Sequence, residues 1–170
     1  IIQESSKIFW VLFKVILPVI IIIRALELLG AIPYLAKFLE PLTSFIGIDG
    51  SLGLVWMAAI LVNIYAGMAA FASLQPIFDY TVAETTILGL IILIAHSLPI
   101  EVAIARQSRV SAIFNLLFRF INAVIAGKIL NYIFIKFELF NEQNSSILDI
   151  PTNVVSNLDW LILQSKNFLI

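Results

Sequence analysis

Long apolar stretches alternate with short polar segments over the first 136 residues of the chain. Four of these stretches, residues 8–29, 52–74, 85–105 and 113–135, are each long enough for a transmembrane helix, which needs about 20 predominantly apolar residues. The pattern predicts an all-α integral membrane protein with about four transmembrane helices, whose main partner is the lipid bilayer.

A fifth apolar segment, residues 32–46, is too short to cross a bilayer comfortably. Lys37, Glu40 and Pro41 interrupt it, and Gly47 and Asp49 follow it. A segment of this length favours an interfacial or re-entrant helix over a spanning one. The pattern leaves open which of these it is, including a crossing as part of a bent span.

The third predicted span is interrupted by a polar stretch that runs from His96 to Glu101 and contains Pro99. Proline has no amide hydrogen to donate to the carbonyl of Ala95, and its ring crowds that carbonyl, so we expect this helix to be broken at Pro99. A broken helix in a membrane must be buried in protein or line a cavity. Because ionisable side chains within a span are costly, His96 and Glu101 are candidate functional residues.

The second predicted span carries a stripe of small and polar residues. Asn63, Gly67, Ala70 and Ser73 are four, three and three residues apart, which places them on one helical face. Small residues let membrane helices approach closely, and asparagine can hydrogen-bond across such a contact. The stripe therefore predicts a tight helix-helix contact, a polar cavity that Asn63 shares with His96, or both.

The fourth predicted span repeats this pattern with Asn115, Arg119 and Asn122 on one face. Arg119 lies close enough to the end of the span for its side chain to reach the membrane surface. Alternatively, it pairs with Glu101 or binds an anion, since the planar guanidinium suits a carboxylate or a phosphate. The candidate substrate-binding residues are Asn63, Gly67, His96, Glu101, Asn115 and Arg119.

Composition agrees with a membrane protein and excludes several classes of function. Hydrophobic residues make up 61% of the 170 residues and charged residues only 12%, against about 25% in soluble domains. A formal net charge of −1 gives no basic surface for nucleic acid. With no cysteine, one histidine and no compact catalytic motif, the sequence predicts neither an enzyme nor a bound metal or cofactor.

Basic residues in the loops predict how the chain is oriented. The loop 75–83 contains Asp79 and no lysine or arginine, whereas the loop 106–111 contains Arg106 and Arg109. Basic residues in short loops mark the cytoplasmic side, so the second loop is expected inside the cell and the first outside.

The last fifth of the chain changes in composition. Residues 137–157 are rich in asparagine and serine and predict a polar linker, and residues 158–170 predict an interfacial helix or the start of a second repeat. Residues 1–136 form the predicted transmembrane domain. Because the chain starts at Ile1 and ends on an apolar segment, we expect it to be processed or partial.

Three motifs resemble the nucleoside-recognition, or Gate, domain: GAIPYLAKFLEPLTSFIGI at residues 30–48, NIYAGMAAFASL at 63–74 and HSLPIE at 96–101. Such domains occur in spore maturation membrane proteins and in concentrative nucleoside and ferrous iron transporters. The resemblance covers residues 8–136 and implies a membrane domain that handles a polar solute or ion through Asn63, His96 and Glu101. The chain lacks the cysteine suggested to line the pore of the iron transporter, and it is short for a complete nucleoside transporter.

Two functions follow from these features. In the first, the chain is half of a transporter or channel for a polar solute, either nucleoside-like or an ion, in a bacterial inner membrane. Glu101 would then balance a cationic group, and His96, which titrates near neutral pH, could couple transport to protons. In the second, the chain is a structural or assembly subunit of a larger membrane complex. Both predict an oligomer or a second membrane subunit, since four spans enclose little more than one bundle.

Overall fold

The computed structural model describes residues 2–75 and 77–143, without the side chains of residues 2–9, 11, 12, 15 and 107. The described residues are helical apart from short connections and one isolated β-bridge between Thr81 and Gln143. The predicted all-α fold is confirmed. Predictions for residues 144–170, which include most of the polar linker and the C-terminal segment, lie outside the described residues. The helices are α1 (Ile2–Leu28), α2 (Ile32–Ile46), α3 (Gly50–Leu61), α4 (Ile64–Leu74), α5 (Val82–Ile94), α6 (Leu98–Gln107) and α7 (Ala112–Lys136).

Two helical units in the described residues are long and apolar enough to cross a membrane. One is Val82–Arg106, made of α5 and most of α6, and the other is Ala112–Lys136, which is α7. A third crossing exists if Ile16–Leu28 and Ile32–Ile46 count as one span, but these two segments are bent by 105°. Because of that bend, α2 does not continue the direction of α1.

The connections on either side of α2 follow the local sequence. Gly30 ends α1 with a φ of +63°, and Pro33 lies in the first turn of α2, positions that suit glycine and proline respectively. Gly47 ends α2 with a φ of +95°. A Cβ atom there would collide with the Asn131 amide of α7, so glycine at this position also lets α2 pack closely on α7.

Residues 52–74 do not form the continuous span that the sequence predicts. The helix stops at Leu61 and restarts at Ile64, and the two halves pack side by side, since a Cβ atom on Gly67 would lie 2.8 Å from Cβ of Ala59. The start of α3 also meets the connection that follows α4, where the Ser51 and Tyr80 hydroxyls lie 2.7 Å apart. Helices α3 and α4 therefore form a helical hairpin whose two ends lie on the same side of the protein.

Hydrogen bonds hold the open end of the hairpin to the start of α5. Thr81 and Glu84 form a capping box, and the same Glu84 carboxylate accepts the amide hydrogen of Asp49 at 3.1 Å. The Asp49 carboxylate in turn caps α3 by accepting from the amide of Ser51. The segment after α7 reaches this end too, because the amide of Val82 donates to the carbonyl of Glu142. This end of the fold is closed by polar contacts.

Candidate functional site

The span formed by α5 and α6 is interrupted at Ala95, His96 and Ser97. Helix α6 begins at Leu98 with Pro99 in its first turn, so the predicted break is confirmed and lies just before the proline. Ser97 adopts a left-handed conformation with a φ of +50°, which costs about 1–2 kcal/mol for a residue other than glycine. Interrupting the helix here leaves the last carbonyls of α5 without their usual intrahelical partners.

The hairpin tip, residues 62–63, lies close to this interruption. The amide hydrogen of Ser97 donates to the carbonyl of Ala59 at 2.9 Å, and Nε1 of Trp56 donates to the carbonyl of Ala95 at 3.2 Å. Both contacts join the last two turns of α3 to the break in α5–α6. The interrupted α3–α4 hairpin and the interrupted α5–α6 span thus cross where both expose backbone polar groups. Hydrogen bonds between the two satisfy some of these groups.

Arg119 of α7 connects the two halves of the broken span. Its Nε donates to the carbonyl of Ile94 at 2.9 Å, and its Nη1 lies 3.0 Å from Oε2 of Glu101 on α6. The side chains of Arg119 and Glu101 are 21% and 39% exposed, respectively. Of the alternatives left open for Arg119, the structure shows the ion pair with Glu101.

Helix dipoles explain the positions of both charges. Arg119 lies at the C-terminal end of α5, where the partial charge of the helix is negative, and Glu101 lies in the first turn of α6, where it is positive. Each charge is therefore stabilised by a helix end as well as by the other charge. Charged side chains within a span are tolerated when they are paired in this way.

His96 also contacts a free carbonyl of α5. Its Nδ1 lies 2.8 Å from the carbonyl oxygen of Ile92. Because a carbonyl can only accept, Nδ1 carries the hydrogen, and in the neutral ring Nε2 is then an acceptor. The ring is half-buried. His96 thus stabilises the end of α5 and keeps one nitrogen able to bind a ligand or a proton.

The remaining predicted site residues lie around this region but differ in role. Asn63 is half-buried at the hairpin tip, where its side chain caps α4 by accepting from the amide of Ala66 at 2.9 Å. Gly67 is buried against Ala59, which is the tight helix contact predicted for its stripe. Asn115 is half-buried on α7, one turn before Arg119.

Sequence reasoning missed Trp56, Ala59 and Ser97 as members of this region. Trp56 stacks on Phe120 of α7 with the ring centroids 5.3 Å apart, which fixes the direction of its indole N–H. Two local signals were available: asparagine at position 63 and serine at position 97 are both residues that favour the start of a helix. Asn63 and Ser97 each indicate that a helix could start there and so interrupt the span. Neither residue indicates which backbone carbonyl of another helix lies close to the interruption.

A second polar feature lies near the open end of the hairpin. A cavity of about 500 Å³ is lined by residues of α2, by the α2–α3 turn and by Glu84, with Lys37, Glu40, Asp49 and Glu84 as its charged members. Within residues 2–75 and 77–143, no group of three or more histidine or acidic side chains is placed to hold a metal ion. None of the six predicted site residues lines this cavity.

Comparisons with known proteins identify the chain only at the level of a membrane protein. No family model matches it, and no solved structure matches it significantly. It is 29% identical over 98 residues to "Uncharacterized membrane protein YvoD" of Bacillus subtilis (strain 168). These residues are 58% of this chain but 30% of that protein, so the match spans less than a third of the relative's length.

Proposed function

We propose that this chain is a half-unit of a membrane transporter or channel for a small polar solute, with the solute path beside the crossing of the two interrupted helices. The observation that carries the proposal is the contact between the last turn of α3 and the break in α5–α6, made by the 2.9 Å hydrogen bond from the Ser97 amide to the Ala59 carbonyl. Discontinuous helices whose ends meet near the middle of a membrane form solute and ion sites in many transporters.

The charges around the crossing favour a neutral polar solute. Arg119 and Glu101 neutralise each other, so neither is available to balance a charged ligand without breaking the 3.0 Å pair. Nε2 of His96 and the half-buried amide of Asn115 are neutral hydrogen-bonding groups near the pair. A nucleoside-like molecule, which the resemblance to Gate domains implies, has this chemistry.

A second membrane subunit, or a second copy of this chain, would complete the path. The Glu101 side chain is 39% exposed, and much of the apolar surface of α7 is exposed as well. A paired carboxylate within a span needs protein or water against its open side rather than lipid. We place the unit in a bacterial inner membrane, with the loop containing Arg106 and Arg109 in the cytoplasm.

The proposal is tested by ligand-dependent stability and by uptake. We would measure the melting temperature of the purified protein with nucleosides, nucleobases, divalent metals and small organic anions, because a ligand that binds only the folded state raises it. A ligand that raises the melting temperature should be taken up by vesicles that contain the wild-type protein. Glu101→Gln should abolish that uptake while membrane assembly persists, and Glu138→Gln, beyond the end of α7, is the matched control.

The alternative function is a non-transporting structural or assembly subunit. One observation favours it: Trp56, His96 and Arg119 each have a donor directed at a carbonyl in the last turn of α5 or at Ala95 just after it, so the polar groups already serve the scaffold. If no ligand stabilises the protein, and Glu101→Gln prevents folding or subunit association with no separable transport defect, the assembly role replaces the transport role.

A further inference from the structure

An apolar cavity of about 280 Å³ lies between α2, α3 and α7, away from the polar crossing. Its volume is near the lower end of small-molecule sites, which begin at about 300 Å³. Among its lining residues, Thr43 has a side-chain hydroxyl, and that hydroxyl donates to the carbonyl of Leu39 in its own helix. Such a lining cannot satisfy a polar solute. The cavity is lined by Leu39, Leu42, Thr43, Gly53, Trp56, Met57, Ile60, Leu61 and Phe120.

The cavity is reached from the apolar surface of the protein. Met57 and Leu61 lie on its lining and are 40% and 60% exposed. Apolar side chains exposed on a membrane helix face the hydrocarbon of the bilayer. A molecule that enters this cavity therefore comes from the lipid phase.

Lys128 of α7 places a positive charge near the α2 wall of this cavity. Nζ of Lys128 is 4.8 Å from the ring centroid of Phe45, and Phe45 is one helical turn from Leu42 in the cavity wall. Among the described residues, no carboxylate lies within ion-pair distance of Lys128, whereas Arg24 and Arg119 are both paired. Lys128 is eight residues, or about 12 Å, from Lys136 at the end of the helix.

We propose that the cavity and Lys128 together form a groove that binds one anionic phospholipid, with part of an acyl chain in the cavity and the phosphate at Lys128. An unpaired lysine within a span is costly unless it meets a polar partner, and a lipid phosphate in the adjacent leaflet is such a partner. The apolar lining would bind the acyl chain, and Lys128 would bind the negatively charged headgroup. This proposal does not depend on the transport function.

The headgroup part is tested by native mass spectrometry of the protein in neutral detergent with equal amounts of phosphatidylglycerol and phosphatidylcholine carrying the same acyl chains. Wild type should bind phosphatidylglycerol about five-fold better, the factor expected for one lysine near an anionic headgroup. Lys128→Gln should remove this preference. Lys136→Gln removes the same charge from the end of the same helix and should retain the preference.

The acyl-chain part is tested by filling the cavity. Met57→Trp places a large ring at the exposed side of the cavity and should lower the binding of both lipids. Ile121→Trp is the matched control, since Ile121 is exposed on α7 and does not line the cavity.

Three results would overturn the proposal. One is a phosphatidylglycerol preference that survives Lys128→Gln, and another is lipid binding that Met57→Trp leaves unchanged. The third is a concentration-dependent dimer that Met57→Trp disrupts in the absence of any bound lipid, which would assign the groove to a second copy of the chain.

Discussion

At the scale of single residues, polar side chains in this protein mainly serve backbone groups that the helix breaks leave free. Arg119 shows this best, because one nitrogen bonds the Ile94 carbonyl while another pairs with Glu101. His96 bonds the carbonyl of Ile92 in α5, and Trp56 bonds the carbonyl of Ala95 just after it. In a membrane an unsatisfied backbone group costs several kcal/mol, so these contacts make the interruption possible.

A second residue-scale feature is the buried phenol of Tyr80, outside the membrane-spanning segments. Burial raises the pKa of Tyr80 well above its ordinary value, the Ser51 hydrogen bond lowers it, and the nearby Asp49 and Glu84 charges raise it. The native state therefore favours the neutral phenol. The stability that the neutral Tyr80 phenol contributes is fully present below pH 10, about the pKa of tyrosine in the unfolded chain. This stability is lost as the pH rises from there toward the pKa of Tyr80 in the native state.

We therefore expect the melting temperature of the wild-type protein to fall as pH rises above about 10. Tyr80→Phe should weaken this dependence and cost about 1 kcal/mol at neutral pH, because the hydrogen bond to Ser51 is lost. Tyr65→Phe, at an exposed tyrosine of α4, is the control. Equal alkaline destabilisation of wild type and Tyr80→Phe would contradict this role for Tyr80.

At the scale of elements, the α3–α4 hairpin depends on close packing between its two short helices. Gly67 lies against Ala59, where a Cβ atom would come within 2.8 Å of the alanine Cβ. Helices of 12 and 11 residues gain little stability by themselves, so packing has to hold them together.

Gly67→Ala should accordingly destabilise the protein by about 1–3 kcal/mol, the usual cost of overpacking. Gly89→Ala is the matched control, since nothing lies within 4 Å of a Cβ atom there. That variant should be neutral or stabilising by up to about 1 kcal/mol, because alanine favours a helix more than glycine does. Thermal unfolding of both variants in the same detergent tests the contact, and equal responses would argue against it.

At the scale of the whole molecule, the hairpin decides the topology. If α3 and α4 enter and leave the membrane on one side, the connections at residues 47–49 and 75–81 lie on that side. The loop between α6 and α7 then lies on the other side, because α5 and α6 together are long enough to cross. A continuous span over residues 52–74 would instead place the first two connections on opposite sides.

Single cysteines can distinguish these topologies, since the native chain has none. In intact cells, a membrane-impermeant maleimide should label Ser44→Cys and Asp79→Cys to a similar extent and should not label Ser108→Cys until the membrane is opened. Labelling of Ser44→Cys and Asp79→Cys from opposite sides would show a continuous span. Labelling of all three from one side would mean that α5–α6 does not cross.

The sequence by itself determined the class of the protein, two of its spans and the break before Pro99. Hydropathy over windows of about 20 residues is a local property, so the spans at 85–105 and 113–135 could be predicted from it. Helix ends depend on equally local signals, which the structure shows at Gly30, at Pro33 and in the capping box at Thr81. The break before Pro99 belongs to the same group.

Only the tertiary structure decided what those interruptions contact. A run of 23 apolar residues reads the same whether it crosses the membrane or turns back, and the single Asn63 that divides it here also suits a helix contact. Whether Arg119 reaches the surface or pairs with Glu101 depends on how α6 and α7 pack, which helical spacing does not specify. The cavity between α2, α3 and α7 depends on three segments far apart in sequence, so no local pattern could indicate it.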